Sequence, residues 1–144
     1  MTFPKFYFDR SFTFESGLHV IYGESGSGKS ALINQILELE KGQENFHLTN
    51  INRPEEFQKV FQNPDTQIIC STLGGELAFS LECRSNDQEY ISTKLASLKE
   101  KSFFECAEHR HPATLSGGEK EMLNIVTAFS VNPQLLLIDD GLSF

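Results

Sequence analysis

Gly23-Glu24-Ser25-Gly26-Ser27-Gly28-Lys29-Ser30 is the stretch on which the reading of this chain turns. Its form, G-x-x-x-x-G-K-[ST], is that of a phosphate-binding loop. Glycine at 23, 26 and 28 lets the backbone curl and bring its N–H groups close to an anion. Those groups form a concave nest at the start of a helix, where orphan donors and the helix dipole favour negative charge. Lys29 then reaches the β- and γ-phosphates as a point charge, and the Ser30 hydroxyl ligates Mg²⁺. The flanks supply the context the pattern requires. Leu18-His19-Val20-Ile21-Tyr22 reads as a buried strand entering the loop, and Ala31-Leu32-Ile33-Asn34-Gln35-Ile36-Leu37 carries apolar residues at helical spacing leaving it.

Three later stretches fit around a bound triphosphate. Lys59-Val60-Phe61 predicts a buried strand ending at Gln62-Asn63-Pro64-Asp65-Thr66-Gln67, where Pro64 stops regular structure. Gln62, at the carboxyl end of that strand, is either a turn residue or an amide oxygen offered to Mg²⁺ or an attacking water. Leu115-Ser116-Gly117-Gly118-Glu119 opens a helix running to about Val131, with Met122, Ile125, Val126 and Phe129 as its apolar stripe. Ser116, Gly117 and Gly118 there form an anion-receiving helix start, or simply an N-cap completed by Glu119 as a capping box. Leu135-Leu136-Leu137-Ile138 reads as a central parallel strand covered on both faces, ending in Asp139 and Asp140. Asp139 then either closes a turn or projects beyond the strand to hold Mg²⁺, directly or through water.

Between these lie less specific segments. Residues 5–14 place Phe6, Phe8, Phe12 and Phe14 at a spacing of two, predicting a hairpin or two short strands. Residues 38–58 are polar, with a candidate strand at Phe46–Ile51. From Leu73 to about Arg110 the pattern is helical: Leu77 and Leu81 in one segment, then Ile91, Leu95 and Leu98 in another. Gly74-Gly75 weakens the first, and the expectation is two or three short helices forming a small lobe. His109 and His111 flank Arg110 before Pro112 as a solvated turn rather than a metal pair.

Composition bounds the partners. The 144 residues suffice for one domain with a core, and twelve Lys+Arg against twenty Asp+Glu give a net charge of −8 with no basic block. That balance speaks against nucleic-acid binding. No apolar run approaches the roughly 18 residues of a membrane span, and the N-terminus has no signal-peptide pattern. Cys70, Cys83 and Cys106, an odd set without metal spacing, suit a reducing cytosol.

Taken in order, the loop at 23–30, Val-Phe-Gln-Asn-Pro-Asp-Thr-Gln at 60–67, Leu-Ser-Gly-Gly-Glu at 115–119 and Leu-Leu-Leu-Ile-Asp-Asp at 135–140 resemble the nucleotide-binding domain of the ATP-binding cassette (ABC) family. The resemblance runs from about Ser11 to Ser143. The Phe61–Gln67 wording, with Gly75-Glu76-Leu77-Ala78-Phe79-Ser80-Leu81-Glu82, is similar in particular to energy-coupling-factor and cobalt-type importer ATPases. It implies an α/β P-loop fold with a mainly parallel sheet, residues 1–64 and 115–144 forming the nucleotide-binding core and 65–114 a helical subdomain. It further implies ATP and Mg²⁺ as ligands, with Gly23, Glu24, Ser25, Gly26, Ser27, Gly28, Lys29, Ser30 and Ala31 on the phosphates. Ser30, Gln62 and Asp139 attend the metal, Gln62 and Asp140 the hydrolytic water. Ser116, Gly117 and Gly118 reach the γ-phosphate held by a second ATPase subunit, arranged head to tail. The partner driven by the dimer is an integral membrane subunit importing a vitamin or metal ion, which places the chain on the cytoplasmic face of the membrane.

Several positions depart from that pattern. Asp140 stands where the family has a catalytic glutamate, withdrawing the carboxylate by roughly 1.5 Å. Gly141 stands where a proline is usual, and Lys120-Glu121-Met122 lacks an arginine common in the signature helix. His19, His47, His109 and His111 all precede Asp139, so none is the family's switch histidine, and the C-terminal part of the domain is expected beyond Phe144. These departures keep an alternative open: a degenerate module that binds ATP but hydrolyses it poorly, as the regulatory half of an asymmetric dimer. The chromosome-maintenance branch of the same family is disfavoured. Residues 30–115 leave no room for its long coiled coil and show no sustained heptads.

Overall fold

Phe57–Val60 (β1) and Leu135–Ile138 (β2) pair in parallel, with Phe57 beside Leu135 and Val60 beside Ile138. The structure is a computed structural model and describes residues 14–37, 56–85, 87–101 and 108–140. The chain divides into two units, Met1–Arg53 and Pro54–Phe144. The first holds the helix Lys29–Ile36 (α1). The second holds the sheet and the helices Leu73–Glu82 (α2), Gln88–Lys101 (α3) and Gly117–Ser130 (α4). Single 3₁₀ turns lie at Pro64–Thr66 and Pro112–Thr114. The predicted hairpin's residues 5–13 and the candidate strand at Phe46–Ile51 fall outside the described residues.

The second unit is built on leucines at helical spacing. Leu73, Leu77 and Leu81 form the buried stripe of α2, and Leu73 and Leu77 pack with Leu115 and Leu123, with Ile68, Leu95 and Val126 around them. Each such leucine contributes roughly 1.5–3 kcal/mol by leaving water. Gly74 and Gly75 do not break α2. They occupy its first turn, where the Thr72 hydroxyl accepts from Gly75 N at 3.1 Å and caps the helix. In α3, Ile91 is buried while Leu95 and Leu98 are half-buried. Asp87 opens it, its carboxylate accepting from Glu89 N and Tyr90 N at 3.0 and 3.1 Å.

Four expectations are corrected. Leu18–Tyr22 forms no strand: Leu18, Val20 and Tyr22 are 93, 82 and 98 % exposed. A strand holds only against a neighbour's ladder, and among the described residues the ladder joins β1 to β2 alone. The run follows a turn at Gly17 (φ +142°), with His19 Nε2 against Glu15 O at 2.8 Å and the His19 ring edge-on to Phe14. The first strand of the sheet also starts earlier than read, at Phe57, and stops at Val60. Both strands are covered less than predicted: in β1 only Val60 is buried, and all four residues of β2 are half-buried. Finally, α4 buries Leu123, Asn124, Ala128 and Ser130, whereas Phe129 is 56 % exposed. The helix meets α2 and α3 as well as β1, so its inward arc is set by several neighbours and is rotated from the stripe that periodicity picked out.

Candidate functional site

In the first unit the phosphate loop has the backbone its glycines require. Gly26 and Gly28 lie at φ +80° and +93°, in the left-handed region, and a Cβ on Gly23 would come within 2.8 Å of Ser27 Oγ. Ser27 N donates to Glu24 O at 3.1 Å and Leu32 N to Gly28 O at 2.9 Å, so the turn passes directly into α1. Gly28 is the N-cap and no side chain caps the helix, which leaves the first-turn N–H groups as the site's donors. Lys29 folds back over the loop, Nζ donating to Gly23 O at 2.8 Å and Glu24 O at 2.9 Å. Glu24, Ser25, Gly26 and Ser30 are exposed, and Ala31 lies in the first turn of α1, half-buried.

In the second unit the parallel register brings the ends of β1 and β2 level. Asp139 N donates to Val60 O at 3.0 Å, extending the ladder one step beyond the strands. Gln62 and Asp140, 78 residues apart in the chain, meet there: Gln62 Nε2 donates to Asp140 Oδ2 at 3.2 Å. Asp140 holds φ +55°, a left-handed conformation that aspartate tolerates better than longer side chains. Asp139 is buried, and its Oδ2 lies 3.6 Å from Lys59 Nζ. Ser116, Gly117 and Gly118 sit exposed at the start of α4.

Polar contacts fix these pieces. Gln67 bridges β1 and the following turn, Oε1 accepting from Phe61 N at 3.1 Å and Nε2 donating to Lys59 O at 3.2 Å. Asn124, fully buried on α4, donates to Pro64 O at 3.0 Å, and Lys120 Nζ reaches Asp65 Oδ1 at 2.7 Å. The 62–67 turn is thereby tied to the helix that follows Ser116. At that helix start the capping box is complete: Glu119 N donates to Ser116 Oγ at 3.3 Å and Ser116 N to Glu119 Oε2 at 2.7 Å. Arg110 Nη1 donates to Glu119 Oε1 at 3.0 Å. The Ser116 backbone bond, then the Ser116 hydroxyl and Arg110, hold the Glu119 carboxyl below its ordinary pKa. His111 Nδ1 accepts from Ala113 N at 3.1 Å and so caps the 3₁₀ turn that follows.

Sequence reasoning passed over Lys59, Glu76 and Asn124. Lys59 had a usable signal, since a lysine inside a strand read as buried demands a counter-charge. Glu76 had none: its Oε2 accepts from Ile69 N at 3.0 Å and Cys70 N at 2.7 Å, a loop closure that no periodicity reveals. Burial, then the Glu76 charge, pushes the Cys70 thiol up from its ordinary pKa. Among the described residues no cluster of three or more His, Cys, Asp and Glu side chains suits a metal, and no helix is long and apolar enough to cross a membrane.

The family profile described as ABC transporter matches residues 8–143. The chain belongs to the ABC transporter family. Its α/β fold, with a phosphate loop and a parallel strand pair, is accordingly that of the family's P-loop domain. Among curated proteins it is 32 % identical to the energy-coupling factor transporter ATP-binding protein EcfA1 of Mycoplasma capricolum, over 98 % of this chain and 37 % of that protein. The protein of the same name from Mesomycoplasma hyopneumoniae is 33 % identical, over 88 % of this chain and 50 % of its own length. A putative ABC transporter ATP-binding protein of Bacillus thuringiensis is 32 % identical, over 84 % of this chain and 24 % of its length. The chain thus spans half or less of the curated relatives named here.

Proposed function

We propose that this chain is the nucleotide-binding part of an ABC importer's ATP-binding subunit, binding Mg-ATP and coupling its hydrolysis to uptake of a vitamin or metal ion through a membrane partner. The observation that carries the reading is the meeting of Gln62 with Asp140 at the level ends of β1 and β2. It gives a geometric reason for two residues that the family resemblance assigns to one water. Residues 23–31 would hold the phosphates, through α1's first-turn N–H groups and the Lys29 ammonium. Ser30 in the first unit and Gln62 and Asp139 in the second would each offer Mg²⁺ an oxygen, the donor type it takes. With Nε2 engaged by Asp140, the Gln62 amide oxygen is the atom that serves this role. The ion, when bound, neutralises charge on the β- and γ-phosphate oxygens. Asp140 would orient the attacking water and accept its proton.

Gly117 and Gly118 support a second ATP-binding subunit as partner. Neither has a positive φ, and a Cβ at either would meet nothing within 4 Å among the described residues. Their own fold therefore gives no reason for glycine, whereas close approach to a phosphate held by another subunit does. Residues 65–114 would face the membrane subunit as the helical subdomain beside a core of 1–64 and 115–144. A groove of about 370 Å³ there is lined by Asp65, Ile69, Cys70, His111, Ala113 and Lys120, with Ile69 65 % exposed.

The deciding experiment uses the full-length polypeptide with its partner ATPase and membrane subunit. A fluorescent ATP analogue should bind, Lys29→Ala should weaken that binding at least tenfold, and ATP turnover should rise above background on assembly. Binding without turnover would instead favour the second reading, a module that binds ATP but hydrolyses it poorly. The short acid at 140, held in a left-handed conformation, is the observation behind that alternative.

A further inference from the structure

Lys59 brings a positive charge into the strand end where the nucleotide-binding reading needs a carboxylate. Its side chain is 8 % exposed and that of Asp139 9 %, with Nζ 3.6 Å from Oδ2. The ammonium also stands 5.0 Å from the centroid of the Phe61 ring, a cation–π distance. The register explains the encounter. Lys59 lies beside Leu137, and Asp139 follows Leu137 by two residues, so both side chains leave the sheet on the same face.

We propose that Lys59 is the resident counter-cation of Asp139, and that a divalent ion reaches this carboxylate only against an ammonium already beside it. The inference rests on the nucleotide-binding reading in taking Asp139 as the residue that faces Mg²⁺. A buried carboxylate is costly unless paired, and Lys59 supplies the pair in the absence of metal. The same ammonium repels a doubly charged ion a few ångströms away, and burial of both partners limits screening by solvent salt. Nucleotide binding in this chain is therefore less dependent on Mg²⁺ than Asp139 alone would make it. The Mg²⁺ concentration needed to exert its effect is correspondingly raised.

The test has two arms on the full-length polypeptide. In the first, a fluorescent ATP analogue is titrated at increasing Mg²⁺. Lys59→Met should lower the Mg²⁺ midpoint roughly tenfold or more, as removal of a like charge at this range implies, and Lys59→Arg should leave it near wild type. In the second, thermal unfolding is followed without nucleotide. Asp139→Asn should lower the midpoint of unfolding more in the wild type than in the Lys59→Met background, because only the former loses the Lys59–Asp139 ion pair. A Mg²⁺ midpoint equal in wild type and Lys59→Met, or strictly additive unfolding shifts, overturns the inference. A wild type that binds no nucleotide removes the function proposed above instead, and the unfolding arm then decides the role of Lys59 by itself.

Discussion

At position 140 the backbone favours the shorter of the two acids. With φ at +55°, a side chain other than Gly, Asn or Asp carries strain of about 1 kcal/mol or more, so an aspartate is accommodated where a glutamate would be strained. The Gln62 amide then holds the shorter acid by one hydrogen bond. Asp140→Asn keeps both the left-handed tolerance and a polar partner for Gln62, but cannot accept a proton. It is expected to change unfolding free energy by less than about 0.5 kcal/mol and to leave nucleotide affinity intact. Turnover by the assembled transporter should fall on the order of 10²-fold or more. Chemical denaturation, analogue binding and phosphate release measured on one preparation check the three parts. The residue identities at 62, 139 and 140 were legible in the sequence because strand-end polar groups follow apolar runs. Their contact was not, since it depends on a left-handed turn that no spelling of Asp-Asp-Gly prescribes.

Among the elements, α2 and α4 each begin with a device that can be tested by itself. Glu119 has its carboxyl held below the ordinary range by Ser116 and Arg110, so it binds a proton less readily when folded than when unfolded. Its contribution is therefore fully present above the unfolded value, about 4.3, and is lost as pH falls through the lower folded value. Thermal midpoints between about pH 5 and pH 3 should accordingly fall less steeply for Glu119→Gln than for wild type. Glu76 closes the loop before α2 by accepting two backbone N–H groups. Glu76→Ala strands both and is expected to cost about 2–3 kcal/mol in urea unfolding, and Glu76→Gln, which keeps an acceptor, about 1 kcal/mol. With the Glu76 charge gone, the Cys70 thiol pKa should drop, and site-resolved alkylation near neutral pH should quicken in Glu76→Gln. The helices themselves were legible because leucines at 73, 77 and 81 repeat with their period. The buried face of α4 was misjudged, because which arc of a helix turns inward is set by what surrounds it. Leu18–Tyr22 failed for a related reason: an apolar run says strand only where another strand lies alongside.

At the scale of the whole molecule, Gly117 and Gly118 are surface glycines that no contact among the described residues requires. Loop, turn, signature and strand-end motifs were readable in order, and the family profile over residues 8–143 agrees with that order. Assembly was readable only through resemblance, since contacts between chains leave no trace in one chain's periodicity. Gly117 and Gly118 now supply a physical handle on it. Both lie in the first turn of α4 in ordinary helical backbone with open space where a Cβ would go. Gly118→Ala should therefore leave the isolated chain as stable or stabilise it, by about 0.5 kcal/mol, through reduced freedom of the unfolded state. In the assembled protein the added methyl would stand where a phosphate of the facing subunit must approach. ATP-dependent association with the second ATPase subunit, followed by light scattering in the Asp140→Asn background to hold the nucleotide, should then fall at least tenfold, with nucleotide binding to the variant chain itself unchanged. A loss of stability would mean that the glycine serves this chain's own fold. Unimpaired association would mean that the start of α4 faces no nucleotide across a dimer.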